Sequence, residues 1–285
     1  LSFASRILRG TGLFLCGDLY HTLAPVILKD DDGEVAFAPL PYAEPGKVRE
    51  ALSADVHTHE EAERVLSDFL LRQMGHAARK VAIAHEFVAG GSASDSERPL
   101  SIGGTDLISA DVFAPYNYTA LGHLHGPQKA GGKENVRYSG SLLKYSFSEA
   151  TQKKGVIVGE IDGAGQVKTT FISLSARHDV RVIKGFFDDL IKGESEDFLM
   201  AELLDEGPVI DAMARLRQKY PRMMTIQSHR RMNSGSGERS FDLMKKIDPL
   251  DMFRVFYKEF QDKEFTEEEE DYMKELWEDL RKEDD

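Results

Sequence analysis

Short apolar runs bounded by turn-forming residues alternate along the chain with stretches whose apolar positions recur at helical spacing. The runs with the character of strands are LFLC, TLAPVIL, VAFAPL, KVAIAHEF, YTALGH, VRYSGS, KGVIVGEID and VKTTFISL. DDDGE separates the second run from the third and GAG separates the last two, so each of these segments predicts a turn. KVAIAHEF contains the unbroken apolar run VAIA, which is typical of a strand buried on both faces of a sheet.

A helix is predicted from about Thr58, because Thr58 and Glu61 have the spacing of a capping box. Apolar residues then recur at helical intervals, at Ala62, Val65, Phe69 and Leu70. After Arg177 the pattern changes: VRVIKGFF and MMTIQSHR predict strands, and PVIDAMARLRQKY predicts a helix that begins at Pro208. These elements together predict a small β/α module.

The C-terminal part of the chain predicts two amphipathic helices behind a linker. NSGSGERS, residues 233–240, has the composition of a flexible linker. The first helix is predicted to start at Asp248, and the second at Thr266, which has the spacing of a capping box with Glu269. Two short helices cannot bury their apolar faces on each other completely, so this segment is interpreted as a docking element for a partner helix.

Composition and charge narrow the class of protein. The 285 residues are enough for one large domain or for two to three smaller ones. The formal net charge of −13 argues against binding of nucleic acid by the whole surface, although residues 121–180 carry about +3 and residues 241–285 about −9. The single cysteine, Cys16, excludes an internal disulfide. Without a long apolar stretch or a signal peptide, a soluble, cytoplasmic protein is predicted.

Histidines at the ends of predicted strands indicate possible metal chemistry. YTALGHLHGPQ ends a strand on His123 and His125, between two glycines. In an extended chain residues i and i+2 face the same way, so both imidazoles are predicted to point at one location. His85 ends another predicted strand. The three histidines predict part of a metal site, and the alternative is a set of ordinary hydrogen-bonded histidines. The second His-x-His pair, His57 and His59, flanks a helix start and is predicted to be solvated.

Four stretches in combination, AHEFVAGG, DSERPLSIGG, YTALGHLHGPQ and VRYSGSLLKYSFSEATQKKGV, closely resemble the bacterial SbcD nuclease subunits, which are calcineurin-like metallophosphoesterases. EDFLMAELLDE and DAMARLRQKYP resemble the capping domain of that family. DPLDMFRVFYKEF resembles the family's segment that binds the coiled coil of the ATPase partner SbcC. GHLH alone would indicate only the broader superfamily.

The resemblance implies an α/β (α+β layered) fold, a calcineurin-like metallophosphoesterase β-sandwich flanked by helices. The nuclease domain is expected to be N-terminally truncated, with a small β/α capping domain and a C-terminal helical pair. The implied division is 1–178 for the partial nuclease domain, 179–232 for the DNA-contacting capping domain and 241–285 for the helix pair. Truncation is expected to open an apolar edge at KVAIA and to favour self-association.

The family's activity requires two metal ions, usually Mn²⁺, with Mg²⁺ or another divalent cation as alternatives. The resemblance assigns His85 and His123 to one metal and His125 to the other. The family also carries Asp-x-His, Gly-Asp-x-x-Asp and Gly-Asn-His-Asp motifs upstream of the segment that LSFASRIL resembles, and none is found there. The catalytic residues are therefore unknown and the chain alone is expected to be inactive. Asp18 and Asp95 are predicted to be loop residues rather than substitute ligands.

The resemblance implies a subunit of an ATP-dependent double-strand DNA exonuclease and hairpin endonuclease, acting in DNA repair and recombination. Its expected partners are double-stranded DNA, an SbcC-like ATPase bound through its coiled coil, and possibly a second copy of the chain, with no membrane. Four residues are predicted to lie near the substrate: Lys129, Lys133, Arg137 and Ser139. Two alternatives stay open: a small-molecule or cyclic-nucleotide phosphodiesterase, and a docking fragment without catalysis.

Overall fold

The structure, a computed structural model, describes residues 7–97, 107–205 and 207–228, together with Thr266, Glu269, Glu270, Tyr272 and Met273. Within these residues the chain is a mixed α/β protein with several sheets and few helices. No described helix is both long and apolar enough to cross a membrane.

The strands are β1 (Val26–Asp30), β2 (Gly33–Leu40), β3 (Arg79–His85), β4 (Phe87–Val88), β5 (Leu107–Ile108), β6 (Tyr118–Gly122), β7 (Gln128–Ala130), β8 (Lys133–Tyr138), β9 (Gly155–Ile161), β10 (Val167–Ser173), β11 (Val180–Gly185), β12 (Phe198–Leu203) and β13 (Met223–Ser228). The helices are α1 (Pro45–Leu52), α2 (His59–Gln73), α3 (Phe187–Leu190) and α4 (Ala212–Arg217). Short 3₁₀ turns occupy Ala110–Phe113 and Phe147–Glu149.

The largest sheet has six strands in the order β1-β2-β3-β6-β8-β7. β2, β3, β6 and β8 run parallel, and β1 and β7 close the two edges in antiparallel pairs. β3 and β6 are neighbours and end at His85 and Gly122, which are partners in the register. The carboxyl ends of the parallel strands therefore bring the histidine-bearing segments to one edge of the sheet.

α2 confirms the predicted helix and its start. The hydroxyl of Thr58 accepts a hydrogen bond from the backbone N–H of Glu61, and the Glu61 carboxylate accepts one from the backbone N–H of Thr58. The capping box is therefore complete. α2 packs against β2 and α1, and its buried face consists of Ala62, Glu63, Leu66, Ser67 and Leu70. Two of these buried residues are polar, which the apolar pattern did not predict.

β3 lies in the middle of the sheet, so two expectations about it are wrong. It is hydrogen-bonded to β2 on one side and β6 on the other, and the expected open edge at KVAIA is absent. It is also not buried on both faces, because Ile83 is 49% exposed. The predicted strand VAFAPL forms β2 and supplies the neighbour, a pairing that the sequence did not reveal.

A second hydrophobic core lies in the three-stranded parallel sheet β11-β12-β13, with α3 and α4 beside it. The predicted strands in VRVIKGFF and MMTIQSHR are confirmed as β11 and β13. The central strand β12 was not predicted. The helix expected from Pro208 begins only at Ala212, because Asp211 adopts a left-handed conformation with φ of +52° that a helix does not accommodate.

The remaining predicted elements have different outcomes. LFLC, residues 13–16, forms no strand, and β1 starts at Val26, directly after Pro25, which has no N–H to donate to a ladder. The Thr266 capping box is confirmed by reciprocal hydrogen bonds between Thr266 and Glu269. The predicted linker and the helix expected from Asp248 lie outside the described residues.

Candidate functional site

His85 and Gly122 meet at the carboxyl ends of β3 and β6. A Cβ atom at Gly122 would lie 2.8 Å from Nδ1 of His85, closer than real contacts of this kind. Glycine at this position therefore leaves the space that the imidazole occupies. Burial lowers the pKa of His85 below its ordinary value. The ring is consequently neutral at neutral pH, which is the form that binds metal ions.

His123 follows Gly122 in a strained conformation. Its φ is +103°, a value that L-residues other than glycine rarely adopt. The ring lies edge-on to that of His85, with 5.5 Å between centroids, and 5.8 Å from the ring of Phe87. Such strain costs about 1–3 kcal/mol and is concentrated at functional sites. The backbone turns at this residue and directs its imidazole towards His85.

His125 contacts a different set of residues from His123, and whether both imidazoles point at one location stays a prediction. β6 ends at Gly122 and the chain is not extended through His123, so the i, i+2 rule for strands does not apply. Nδ1 of His125 lies 2.8 Å from the hydroxyl of Ser96 and 3.1 Å from Oε1 of Glu149. A carboxylate beside Nδ1 favours the proton on that nitrogen and leaves the Nε2 lone pair available.

Glu149 is the buried anion of this region. Its side chain is 0% exposed and contacts the ammonium of Lys154 at 2.6 Å. Burial acts to raise the pKa of Glu149, but hydrogen bonds from Lys154, Ser96, His125 and the backbone N–H of Tyr145 lower it to about 2. Glu149 is therefore ionised at neutral pH and supplies a fixed negative charge behind the His125 ring.

Lys154 and Glu97 fix the backbone of His125 from two sides. The Lys154 ammonium donates to the carbonyl of His125 at 2.7 Å and to the Ser141 hydroxyl at 2.9 Å. The backbone N–H of His125 donates to Oε1 of Glu97 at 2.7 Å. Burial opposes ionisation of Glu97, yet hydrogen bonds from the Ser94 hydroxyl and the His125 N–H lower its pKa. Both peptide groups that flank the imidazole are thus held by buried or half-buried charges.

The donor set fits part of a metal centre. Two imidazoles lie together at His85 and His123, and a third at His125 is oriented by a carboxylate, as is usual for metal-binding histidines. Imidazole ligands suit iron and zinc, whereas manganese is suited by carboxylate, carbonyl and water ligands beside them. Among the described residues no group of three or more His, Cys, Asp or Glu side chains is close enough to hold an ion. Further ligands would have to come from outside the described part of the chain.

The four residues predicted to contact substrate have different partners in the structure. Lys129 and Arg137 lie side by side on β7 and β8 and both pair with Glu134. Lys133 instead bonds Asp111 at 2.6 Å. Ser139 lies on the loop after β8, with its hydroxyl 3.5 Å from the carbonyl of Gly140.

The carboxylates considered as substitute ligands remain in their loops. Asp18 bonds His21 at 2.9 Å, and Asp95 is exposed, with its backbone N–H donating to Ser148. Asp55 and His57 have Asp-x-His spacing, but their side chains are 91% and 72% exposed and pair with each other. The carboxylates that do approach a predicted histidine are Glu97 and Glu149, to which no role was assigned. Their signal was a cluster of serines around each glutamate, in SASDSER and YSFSEA.

The fold and the site define a mixed α/β protein with histidines gathered where neighbouring parallel strands end. A comparison with protein families matches residues 176–260 to the SbcD C-terminal family, described as the "Type 5 capsule protein repressor C-terminal domain". The matched segment is under a third of the chain. It includes the sheet β11-β12-β13 and the stretches that resemble a capping domain. The match supports an SbcD-related protein.

Proposed function

We propose that this chain is the nuclease subunit of an SbcCD-like complex and hydrolyses phosphodiesters of double-stranded DNA with the help of two divalent metal ions. The observation that carries the proposal is the pair of strand-end histidines. His123 is held at φ of +103° with its ring against the neutral His85 imidazole, across a glycine that makes room for it. A conformation that costs about 1–3 kcal/mol is expected where the chain needs the side chain in that place.

Each histidine has a distinct role in the proposed site. His85 and His123 would hold one metal ion, and Nε2 of His125 the other, with Mn²⁺ the expected ion. Two such ions activate water and neutralise charge on the entering and leaving oxygens of a phosphodiester. The residues of this chain position the imidazoles: Glu149 keeps the proton on Nδ1 of His125, and Lys154 holds the carbonyl of the same residue.

The proposed architecture follows the family. The six-stranded sheet would form one layer of a calcineurin-like β-sandwich, and the β9–β10 hairpin part of the second. The Asn117 side chain joins the two, donating to the carbonyl of Gly165 in the hairpin turn at 3.0 Å. Residues 1–178 would be the nuclease domain and 179–232 the capping domain, each with its own hydrophobic core. The C-terminal segment 241–285 would dock on the coiled coil of an SbcC-like ATPase in the cytoplasm.

Manganese binding tests the proposal directly. Electron paramagnetic resonance counts free Mn²⁺ while the protein is titrated, so it reports binding without depending on catalysis. We expect His85→Ala and His123→Ala to weaken binding at least tenfold, because second-shell changes alone already cost 10–100-fold. His57→Ala is the matched control, since His57 belongs to the other His-x-His pair and is exposed.

Hydrolysis is measured on a linear duplex with a labelled end in the same samples. Cleavage that requires Mn²⁺ and is lost in His123→Ala would support the nuclease assignment. Histidine-dependent binding without cleavage by this chain is expected if other ligands are needed, and adding the partner ATPase and the remaining ligand-bearing segment should then produce cleavage. Equal Mn²⁺ binding by all three variants and the unmodified chain would overturn the proposal.

A further inference from the structure

A cleft of about 680 Å³ opens directly beside the histidine segment. It lies between the β7–β8 edge of the large sheet and the β9–β10 hairpin, and begins at Gly126, the residue after His125. We call it the hairpin cleft; its lining includes Gly126, Lys129, Arg137, Gln152, Lys153 and Phe171. A ligand in it would be adjacent to the site proposed for metal binding.

One end of the hairpin cleft presents hydrogen-bond donors. The amide oxygen of Gln152 accepts a hydrogen bond from Lys154 at 2.8 Å. Because the oxygen faces Lys154, the NH₂ group of the same amide faces away from it, towards Gly126. A Cβ atom built at Gly126 would lie 3.4 Å from the Gln152 amide nitrogen. No described residue accepts a hydrogen bond from this NH₂ group. Lys153, the next residue, is exposed and forms no ion pair with a described residue.

Another part of the lining is apolar. Ile157 and Phe171 are directly paired across the hairpin, and both line the cleft. Phe171 is 39% exposed. An exposed aromatic ring beside free cationic and amide donors is the combination on which nucleic-acid bases stack while their phosphates are bound.

Charge in the hairpin cleft favours an anion. Lys129, Arg137 and Lys153 line it, and the first two share a single carboxylate, that of Glu134. Three cations against one anion give a local positive charge in a chain whose formal net charge is −13. A ligand with both a flat apolar body and an anionic group therefore matches the cleft better than a purely apolar or a purely anionic one.

We propose that the hairpin cleft binds one nucleotide of a nucleic-acid strand, with its base against Phe171 and its phosphate against the Gln152 amide and Lys153. The proposal deepens the function proposed above, because it places the strand next to the phosphodiester at the histidines. The contacts involve no metal ligand, so binding does not require an ion.

Binding of a fluorescein-labelled oligothymidylate of about ten nucleotides to the full chain, measured by anisotropy in EDTA, tests the cleft. We expect Phe171→Leu to weaken binding about tenfold, as stacking on an aromatic ring does per base. Lys153→Ala should weaken binding and reduce its salt dependence. Lys168→Ala is the matched control, an exposed lysine on the same hairpin that does not line the cleft. Because the positions are exposed, these changes should leave the fold intact, and circular dichroism of each variant is the check.

A second strand of equal length, abasic throughout, separates the two contacts. The unmodified chain should bind it about as weakly as Phe171→Leu binds the oligothymidylate, and Phe171→Leu should not distinguish the two strands. Equal weakening by Lys153→Ala and Lys168→Ala, or an unchanged affinity of Phe171→Leu, would overturn the cleft. Because this readout excludes metal, it stands apart from the manganese test: cleft-dependent binding without histidine-dependent Mn²⁺ binding would reject the nuclease proposal alone, and the reverse result would reject the cleft alone.

Discussion

Two buried glutamates in two regions of the molecule have opposite electrostatic surroundings. Glu149, at the strand-end site, is 0% exposed and bonded to Lys154, Ser96 and His125, and its pKa is lowered to about 2. Glu63, on the buried face of α2, is 2% exposed, and its Oε1 has no hydrogen-bond partner among the described residues. Burial and the negative charge of Glu86 raise the pKa of Glu63 well above its ordinary value. Burial alone therefore does not decide ionisation; the surrounding donors do.

The difference separates a region organised by charge from one organised by apolar packing. Around Glu149 the backbone of His125, the Ser96 hydroxyl and Lys154 are all oriented by the same carboxylate or by its partner. Glu63 lies on the buried face of α2, where the charged group that acts on it is another carboxylate, Glu86, so Glu63 is most stable when protonated. Substitutions should therefore affect stability by different mechanisms in the two regions.

The largest effect is expected for Lys154→Met. The substitution removes the Lys154 ammonium and leaves Glu149 charged and buried without its cation. Breaking a buried ion pair in this way costs about 3–5 kcal/mol. Urea denaturation measures the change in the free energy of unfolding. Lys153→Met, the exposed neighbour, should stay within about 0.5 kcal/mol of the unmodified chain.

A double variant, Lys154→Met with Glu149→Gln, sharpens this result. Replacing both charged groups removes the uncompensated anion, so the double variant should be more stable than Lys154→Met alone. If Lys154→Met and Lys153→Met lose equal stability, or if Glu149→Gln gives no recovery, the region is not held together by its buried charges.

The second-largest effect is expected at Glu63, where the free energy of unfolding should depend on pH because the pKa of this carboxyl is raised rather than lowered. The pKa of Glu63 is higher in the folded protein than in the unfolded chain. The protein is therefore most stable below the unfolded-state pKa, and it loses stability as the pH rises towards the folded-state pKa. Glu63→Gln cannot ionise, so its advantage should grow with pH, by up to about 1.4 kcal/mol per pH unit in that interval. Thermal unfolding at pH 5 and pH 8 measures it. Glu160→Gln, an exposed carboxylate on β9, should show no such trend, and a pH-independent effect of Glu63→Gln would contradict the assignment.

The sequence was informative wherever local rules determine the structure. α2 begins directly after its N-cap Thr58, because the capping box needs only two residues that are three positions apart. The β1–β2 turn and the β9–β10 hairpin follow their turn residues, and His85 ends its strand as the apolar pattern predicts. These features need no knowledge of distant contacts.

The remainder depends on distant contacts or on backbone angles that no pattern reveals. Glu149 resembles a surface residue in YSFSEA, and its burial follows from closure of the segment containing Ser94, Ser96 and Glu97 over it. The φ of His123 depends on the turn after β6, so this backbone angle was not predictable from the spacing of the two histidines. The delayed start of α4 has the same kind of cause, the left-handed Asp211.

The smallest effect on stability is expected for His123→Gly, and it distinguishes strain kept for function from strain required by the fold. Glycine adopts φ of +103° without the steric cost, which offsets the loss of ring contacts with His85 and Phe87. The free energy of unfolding should therefore be unchanged or up to about 1 kcal/mol higher, while Mn²⁺ binding is lost. Ser53→Gly is the control, since Ser53 ends α1 with φ of +51° and is remote in sequence from His85, His123 and His125; it should stabilise slightly and leave Mn²⁺ binding intact. A loss of stability in His123→Gly comparable to that in Lys154→Met would instead mean that the ring, like the buried charges, holds this end of the sheet together.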